Sequence, residues 1–158
     1  MATRVLFVCM GNICRSPTAE GVFRDLVKQQ GLAGKITVDS AGTHDYHIGD
    51  APDARSQAAA ARRGYDLSGL RARQIVRDDF TAFDHVLAMD QGNLDLLQQQ
   101  CPEASRGKLE LFLAYADGIT LREVPDPYYG GAQGFEQVLD LVENAARGLL
   151  REIIKNNQ

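Results

Sequence analysis

The apolar run Val5-Leu6-Phe7-Val8 ends directly on Cys9-Met10-Gly11-Asn12-Ile13-Cys14-Arg15-Ser16, and this junction constrains the chain more than any other feature. A short, continuous run of β-branched and aromatic residues predicts a strand buried on both faces. The next segment carries Ala19, Val22, Phe23, Leu26 and Val27 at helical spacing. It opens at Ser16-Pro17 and has Gly31 placed to end it. A strand, a glycine-containing loop and a helix N-terminus in that order make a cradle for a tetrahedral oxyanion. The loop amides point inward and the helix dipole puts partial positive charge beside them. A cysteine heading such a loop is expected as its reactive thiolate. The loop is therefore suited to attack a phosphate as well as to hold one.

The remaining chain alternates between the two periodicities. Ile36 to Ser40 reads as a second strand, and a long polar stretch runs from Ala41 to about Ala54, a length typical of functional loops. An alanine-rich helix is predicted from about Pro52 to Arg63, stopping at Gly64. Asp84 to Met89 reads as a third strand, with Asp90 placed to cap a helix carrying Leu94 and Leu97. Leu109 to Leu113 reads as a fourth strand. The last helix sets Phe135, Val138, Leu139, Val142, Ala146, Leu149 and Ile153 on one stripe. Strands alternating with helices predict an α/β fold with a parallel sheet and helices on both faces. Ligands of such sheets sit beyond the carboxyl ends of the strands, where the strand order reverses. The Cys9 loop follows the first strand and is expected there.

The 158 residues fit one domain spanning 1–158, without internal repeats. A net charge of −4 supplies no electrostatic reason to expect nucleic acid or an anionic membrane as partner. The arginines at 62, 63, 71, 73 and 77 read as a solvated helix end and loop. The first apolar run is too short for a signal peptide or a membrane span. Three cysteines, two of them in one loop, do not form a secreted disulfide framework. A cytoplasmic protein with reduced thiols is the expectation, monomeric by default. His44 and His47 bracket Tyr46, but no cysteine or carboxylate set completes a metal site, so no metal and no other cofactor is expected. His85 reads as a packed strand residue and Cys101 as a bystander.

A phosphomonoester dianion repels ordinary nucleophiles, so its hydrolysis needs both charge neutralisation and an attacking group. Cys9 can attack phosphorus and form a phosphocysteine, dividing one hard step into two. Arg15 can grip two equatorial oxygens with its planar fork. The amides of residues 10–16 supply further electrostatic stabilisation. Ser16 can donate a hydrogen bond to the Cys9 sulfur. The leaving oxygen needs a proton, and Asp126 in Val124-Pro125-Asp126-Pro127-Tyr128-Tyr129-Gly130-Gly131 is the candidate donor. The flanking prolines restrict its backbone, and the same carboxylate can later activate water. From its local sequence alone, Asp126 reads equally well as a turn residue.

Together these residues closely resemble the low-molecular-weight protein tyrosine phosphatases. The resemblance covers Val5 to Glu20, Asp39-Ser40-Ala41-Gly42-Thr43, Ala72-Arg73-Gln74, Asp84 to Leu94 and Asp126 to Gly131. It implies a flavodoxin-like, four-stranded parallel sheet and metal-free hydrolysis of phosphotyrosine in proteins. Cys9 is then the nucleophile, Arg15 the phosphate clamp and Asp126 the general acid and base. The phosphate loop is Met10, Gly11, Asn12, Ile13, Cys14, Arg15 and Ser16. Asn12, Ser16 and Ser40 support it, while Met10, Tyr46, Tyr128 and Tyr129 wall the substrate. An aromatic residue at Tyr46 resembles the eukaryotic-type branch; capsule-associated bacterial members often carry an aliphatic residue there. A bacterial member of the eukaryotic-type branch is expected, with an aromatic wall favouring phosphotyrosine over phosphoserine.

Many relatives carry a histidine where this chain has Leu70, so its loop brace is expected to differ. Cys14 reads on its own as a small buried loop residue. The resemblance makes it a redox partner whose disulfide with Cys9 protects the nucleophile. Two other readings stand beside the phosphatase. An arsenate reductase of this fold needs a later cysteine pair, and only Cys101 lies downstream. A phosphotyrosine-binding module would keep Arg15 and the loop amides without requiring both Cys9 and Asp126.

Overall fold

The computed structural model describes residues 2–128 and 130–157. The apolar run becomes β1 (Thr3–Cys9), flanked by β2 (Ile36–Gly42) on one side and β3 (His85–Ala88) on the other. β4 (Leu109–Leu111) completes a sheet of order β2-β1-β3-β4, with every pairing parallel. The connections are α1 (Arg15–Gln29), α2 (Ala54–Arg62), the short α3 (Asp79–Ala82) and α4 (Gln91–Gln100). A final long helix, α5 (Ala132–Asn156), packs back across the sheet. This is the flavodoxin-like α/β arrangement expected of the chain.

Alternation along β1 sorts its side chains between two cores. Val5, Phe7 and Cys9 face the layer built by α1, α2 and α5, while Leu6 and Val8 face α3 and α4. Each residue from Val5 to Cys9 is buried, because helices cover both faces of the sheet. Phe7 meets Phe23 of α1 at 5.8 Å and Phe112 at 4.9 Å between ring centroids, both edge to face. The predicted stripe of α5 is buried as one face, from Phe135 to Ile153. Among the described residues, no helix is long and apolar enough to cross a membrane.

Several boundaries differ from the sequence reading, each for a local reason. β2 runs on to Gly42, which pairs with Cys9 and is held from its outer side by the 73–75 segment. Gly42 N donates to the Arg73 carbonyl and Ile75 N to the Gly42 carbonyl, each at 2.8 Å. β4 stops at Leu111, because the chain turns through a 3-10 segment, Phe112–Tyr115, that tucks Phe112 under Phe7. α2 starts at Ala54, where the Asp53 carboxylate accepts the Arg55 N–H at 2.8 Å. Asp90 caps α4 as expected, accepting the Asn93 N–H at 2.7 Å.

The arginine stretch is less solvated than its composition implied. Arg71 and Arg77 are exposed. Arg63, however, reaches Glu136, Asp140 and Glu143 on α5 at 2.9, 3.0 and 2.6 Å. Arg73 forks onto Asp79 at 3.0 and 3.1 Å and also reaches Asp39. These two residues tie elements together.

The order β2-β1-β3-β4 reverses direction at β1, so a crevice opens beyond its carboxyl end. The Cys9 loop closes one side of it and the turn after β3 the other. Elsewhere in the layer that also holds α1, α5 passes so close to the 112–115 turn that a Cβ on Gly148 would overlap the Tyr115 carbonyl. Neither backbone can yield alone. Gly148→Ala should therefore destabilise the fold by about 2 kcal/mol, the usual scale of overpacking, measured as a lower urea midpoint with an unchanged slope.

Candidate active site

Cys9 ends β1, almost fully buried, with its Sγ 2.9 Å from Ser16 Oγ in the first turn of α1. Between them the loop depends on Asn12, whose φ of 59° lies in the left-handed region. Asparagine tolerates that conformation better than most residues. Its side chain also holds the loop there. Oδ1 accepts the Arg73 backbone N–H at 3.0 Å, which fixes the orientation of the amide. Nδ2 then donates to Ser16 Oγ at 2.8 Å and to Ser40 Oγ at 2.9 Å. With Ser16 Oγ accepting from Asn12, its own proton is left to point at the Cys9 sulfur.

The same chain continues away from the cysteine. Ser40 Oγ donates to Glu20 Oε1 at 2.6 Å, and the Glu20 carboxylate also accepts from Arg24. Glu20 is buried in α1. Leu70 packs partly buried against the larger core and makes no part of this chain of bonds. The brace is thus closed by a carboxylate and an arginine. Burial raises the Glu20 pKa, and the Ser40 and Arg24 contacts offset only part of that effect.

Backbone contacts fix the loop's outer side. Thr43 N donates to the Cys9 carbonyl at 2.9 Å and His44 N to the Met10 carbonyl at 3.0 Å. A Cβ on Gly42 would lie 2.7 Å from the Met10 carbonyl oxygen, so glycine is required for this approach.

Arg15 opens α1 with its side chain 3% exposed. Its Nη1 donates to Asp90 Oδ2 at 2.6 Å and to the Val124 carbonyl at 3.1 Å. Its Nη2 lies 3.7 Å from Asp126 Oδ2. Burial works against the Arg15 charge, but Cys9, Asp90 and Asp126 outweigh it and raise its pKa. Asp90 therefore caps α4 with one oxygen and aims Arg15 with the other. The Asp126 segment is pinned at its start, where Val124 N donates to the Met89 carbonyl at 2.8 Å. Asp126 Oδ1 itself accepts the Tyr128 N–H at 3.0 Å.

These parts surround a pocket of about 220 Å³, lined by Cys9, Met10, Gly11, Ile13, Cys14, Arg15, Tyr46, His47, Asp126 and Tyr128. The Tyr46 ring, 67% exposed, stacks on His44 at 5.0 Å and 18°. His47 pairs with Asp50 at 3.2 Å. Tyr129 lies outside the described residues. Cys14 is a buried free thiol, pushed up to about 12 chiefly by burial, with Ser56 as its hydrogen-bond partner.

The family model described as low molecular weight phosphotyrosine protein phosphatase matches residues 4–158. The chain belongs to this family. It is 42% identical to the low-molecular-weight protein-tyrosine-phosphatase YfkJ of Bacillus subtilis, over 98% of this chain and 97% of that one. A namesake from Streptomyces coelicolor is 44% identical over 97% and 94% of the two chains. A crystal structure of the Entamoeba histolytica protein tyrosine phosphatase with Hepes in the active site superposes with a TM-score of 0.96. Identity there is 39%, and coverage is 99% of this chain and 100% of that one.

In this low-molecular-weight phosphatase, the residues singled out from sequence converge on one pocket, apart from Tyr129 and the supporting Asn12, Ser16 and Ser40 behind it. Sequence reasoning missed Glu20, the second role of Asp90, the Arg73 backbone and His47. The only signals for the first three were a polar residue inside a helical stripe, a cap and an unexplained Ala72-Arg73-Gln74 match.

The raised pKa of Glu20 has a consequence for stability. The folded protein keeps this proton where the unfolded chain, with its ordinary value of 4.5, has released it. Its contribution is fully present below 4.5 and declines as pH rises through the folded value. Unfolding free energies of wild type and Glu20→Gln, measured across mildly acidic to neutral pH, should show their difference drift in favour of the variant as pH rises.

Proposed function

We propose that this chain hydrolyses phosphotyrosine in proteins through a phosphocysteine on Cys9. The observation that carries the reading is that Cys9, Arg15 and Asp126 line one pocket. The Cys9 thiolate attacks phosphorus in line as the bond to the tyrosine oxygen breaks, and Asp126 gives its proton to that departing oxygen. In the second step water attacks phosphorus and yields its proton to the Asp126 carboxylate. The sulfur–phosphorus bond breaks, and inorganic phosphate and the Cys9 thiolate are released.

Arg15 Nη1 is committed to Asp90 and Val124, so Nε and Nη2 form the edge that grips two phosphate oxygens. The amides of residues 10–16 and the N-terminus of α1 take up the remaining charge. The Ser16 hydroxyl, directed by Asn12, steadies the sulfur as nucleophile and as leaving group. Met10, Tyr46 and Tyr128 wall the aryl ring. Cys9 lies so deep that a phenyl spacer reaches it more readily than the short arm of phosphoserine.

The joint presence of nucleophile and acid on one pocket favours hydrolysis over a binding module. The absence of a downstream cysteine pair in the sequence favours it over arsenate reduction. We assign the activity to a single cytoplasmic domain, residues 1–158, acting as a monomer without metal or cofactor.

Cys14 serves as redox partner in this reading. Peroxide converts Cys9 to its sulfenic acid, the Cys14 sulfur displaces hydroxide, and a disulfide and water result. Cys14 is held as the thiol, so its attack is coupled to loss of its proton.

Cys9→Ser should abolish turnover of p-nitrophenyl phosphate and phosphotyrosine peptides, with chelator present throughout. Asp126→Ala should lower turnover of phosphotyrosine peptides by about 10²-fold or more. Activity surviving in Cys9→Ser would overturn the assignment, and equal turnover of phosphoserine and phosphotyrosine peptides would remove the specificity. After a peroxide pulse, dithiothreitol should restore wild type while Cys14→Ser stays inactive. Equal recovery of both would remove Cys14 from this role.

A further inference from the structure

The segment bearing Asp126 is anchored before the carboxylate by Val124, but what fixes it afterwards lies outside the residues used so far. Arg55, at the start of α2, makes that connection. Its Nη2 donates to the Tyr128 carbonyl at 3.1 Å. The same guanidinium grips the Asp53 carboxylate, Nε to Oδ1 at 3.1 Å and Nη2 to Oδ2 at 3.0 Å. Its Cζ also lies over two rings, 5.4 Å from the Tyr128 centroid and 4.7 Å from that of Phe135 in the first turn of α5.

Asp53 is anchored in turn, because its backbone N–H donates to the Ile13 carbonyl at 2.8 Å. A continuous path therefore runs from the phosphate loop at Ile13, through Asp53 and Arg55, to Tyr128. The Tyr128 N–H then holds Asp126 Oδ1 at 3.0 Å. We propose that Arg55 is a positioning residue that sets the height of the Asp126 carboxyl over the phosphate loop by strapping the Tyr128 backbone to Asp53. The proposal rests on Asp126 being the proton donor.

The chemistry of guanidinium makes the role specific. A planar fork can satisfy a carboxylate and a carbonyl at once while stacking on two rings. Lysine keeps the charge but not the fork. Loss of the strap would let the segment between Val124 and α5 relax, with the Asp53 cap of α2 retained through its bond to the Arg55 backbone. The Cys9 loop keeps its own brace through Asn12, so attack on phosphorus is preserved while proton delivery is weakened.

The test separates these two functions by leaving group. The readout is kcat/KM, which reports the steps through expulsion of the leaving oxygen, on p-nitrophenyl phosphate and phenyl phosphate. The nitrophenolate departs without help, whereas the phenolate needs the proton. Arg55→Ala should lose about tenfold on phenyl phosphate, a fraction of what a general acid supplies, and under about twofold on p-nitrophenyl phosphate. Arg55→Lys should show the same selective loss, smaller in size. Arg62→Ala, about two helical turns further on, should leave both esters unchanged.

Equal loss on both esters in Arg55→Ala, or wild-type behaviour of both Arg55 variants, would overturn the proposal. Asp126→Ala is the internal reference. If it shows the leaving-group selectivity and the Arg55 variants do not, the strap alone fails. If Asp126→Ala lacks that selectivity, the acid assignment fails first.

Discussion

The site depends on a single side-chain amide. Asn12 sits in a left-handed backbone conformation, and its amide binds Ser16 in α1 and two more distant parts of the chain, Ser40 in β2 and the Arg73 backbone. Because Oδ1 must face an N–H, Nδ2 must face the two hydroxyls, and every proton in the network is then directed. The Ser16 proton is left for the Cys9 sulfur and the Ser40 proton for Glu20. Geometry and electrostatics of the nucleophile thus follow from one residue whose own conformation is costly without these partners.

The scaffold serves that amide. Parallel pairing of β1 with β2 sets Phe7 opposite Ser40 and Cys9 opposite Gly42, which brings the hydroxyl and the glycine to the loop. Pairing of β1 with β3 places Met89 and Asp90 on the other side, where Asp90 both caps α4 and holds Arg15. A guanidinium this deeply buried requires such a partner, since an unpaired buried charge costs several kcal/mol. The Asp126 segment is then attached at the same end of the sheet through Val124, and by Arg55 to the phosphate loop. Cys9, Arg15 and Asp126 are mutually referenced, so their spacing does not rely on any one loop being stiff.

Glu20, on the buried face of α1, closes the chain of hydrogen bonds from Asn12 through Ser40. Glu20 was unreadable from sequence. A carboxylate one position after Ala19 in an amphipathic helix looks solvent-facing, and only the packing of α1 against β2 reveals that it points inward. Arg63 and Arg73 were misread for the same reason: their carboxylate partners are separated from them by dozens of residues or lie across a turn.

What the amino-acid sequence determined by itself was local and periodic. The apolar run into Cys9, the helical stripe after it, the Asp90 cap and the amphipathic face of α5 are set by short-range sterics and by burial patterns of period 2 and 3.6. They were sufficient for the α/β class, the strand-loop-helix cradle and, with the Asp-Pro-Tyr-Tyr segment, the family. Tertiary structure alone decided the relations between segments. Parallel strands have no short turn to define their partners, so the register that sets Cys9 against Gly42 depends on packing of both sheet faces. For the same reason the directed hydrogen bonds of Asn12, the carboxylate behind Ser40, the second role of Asp90 and the strap at Arg55 appear only once the chain is folded. Each is a contact between groups whose separation along the chain carries no information about their separation in space.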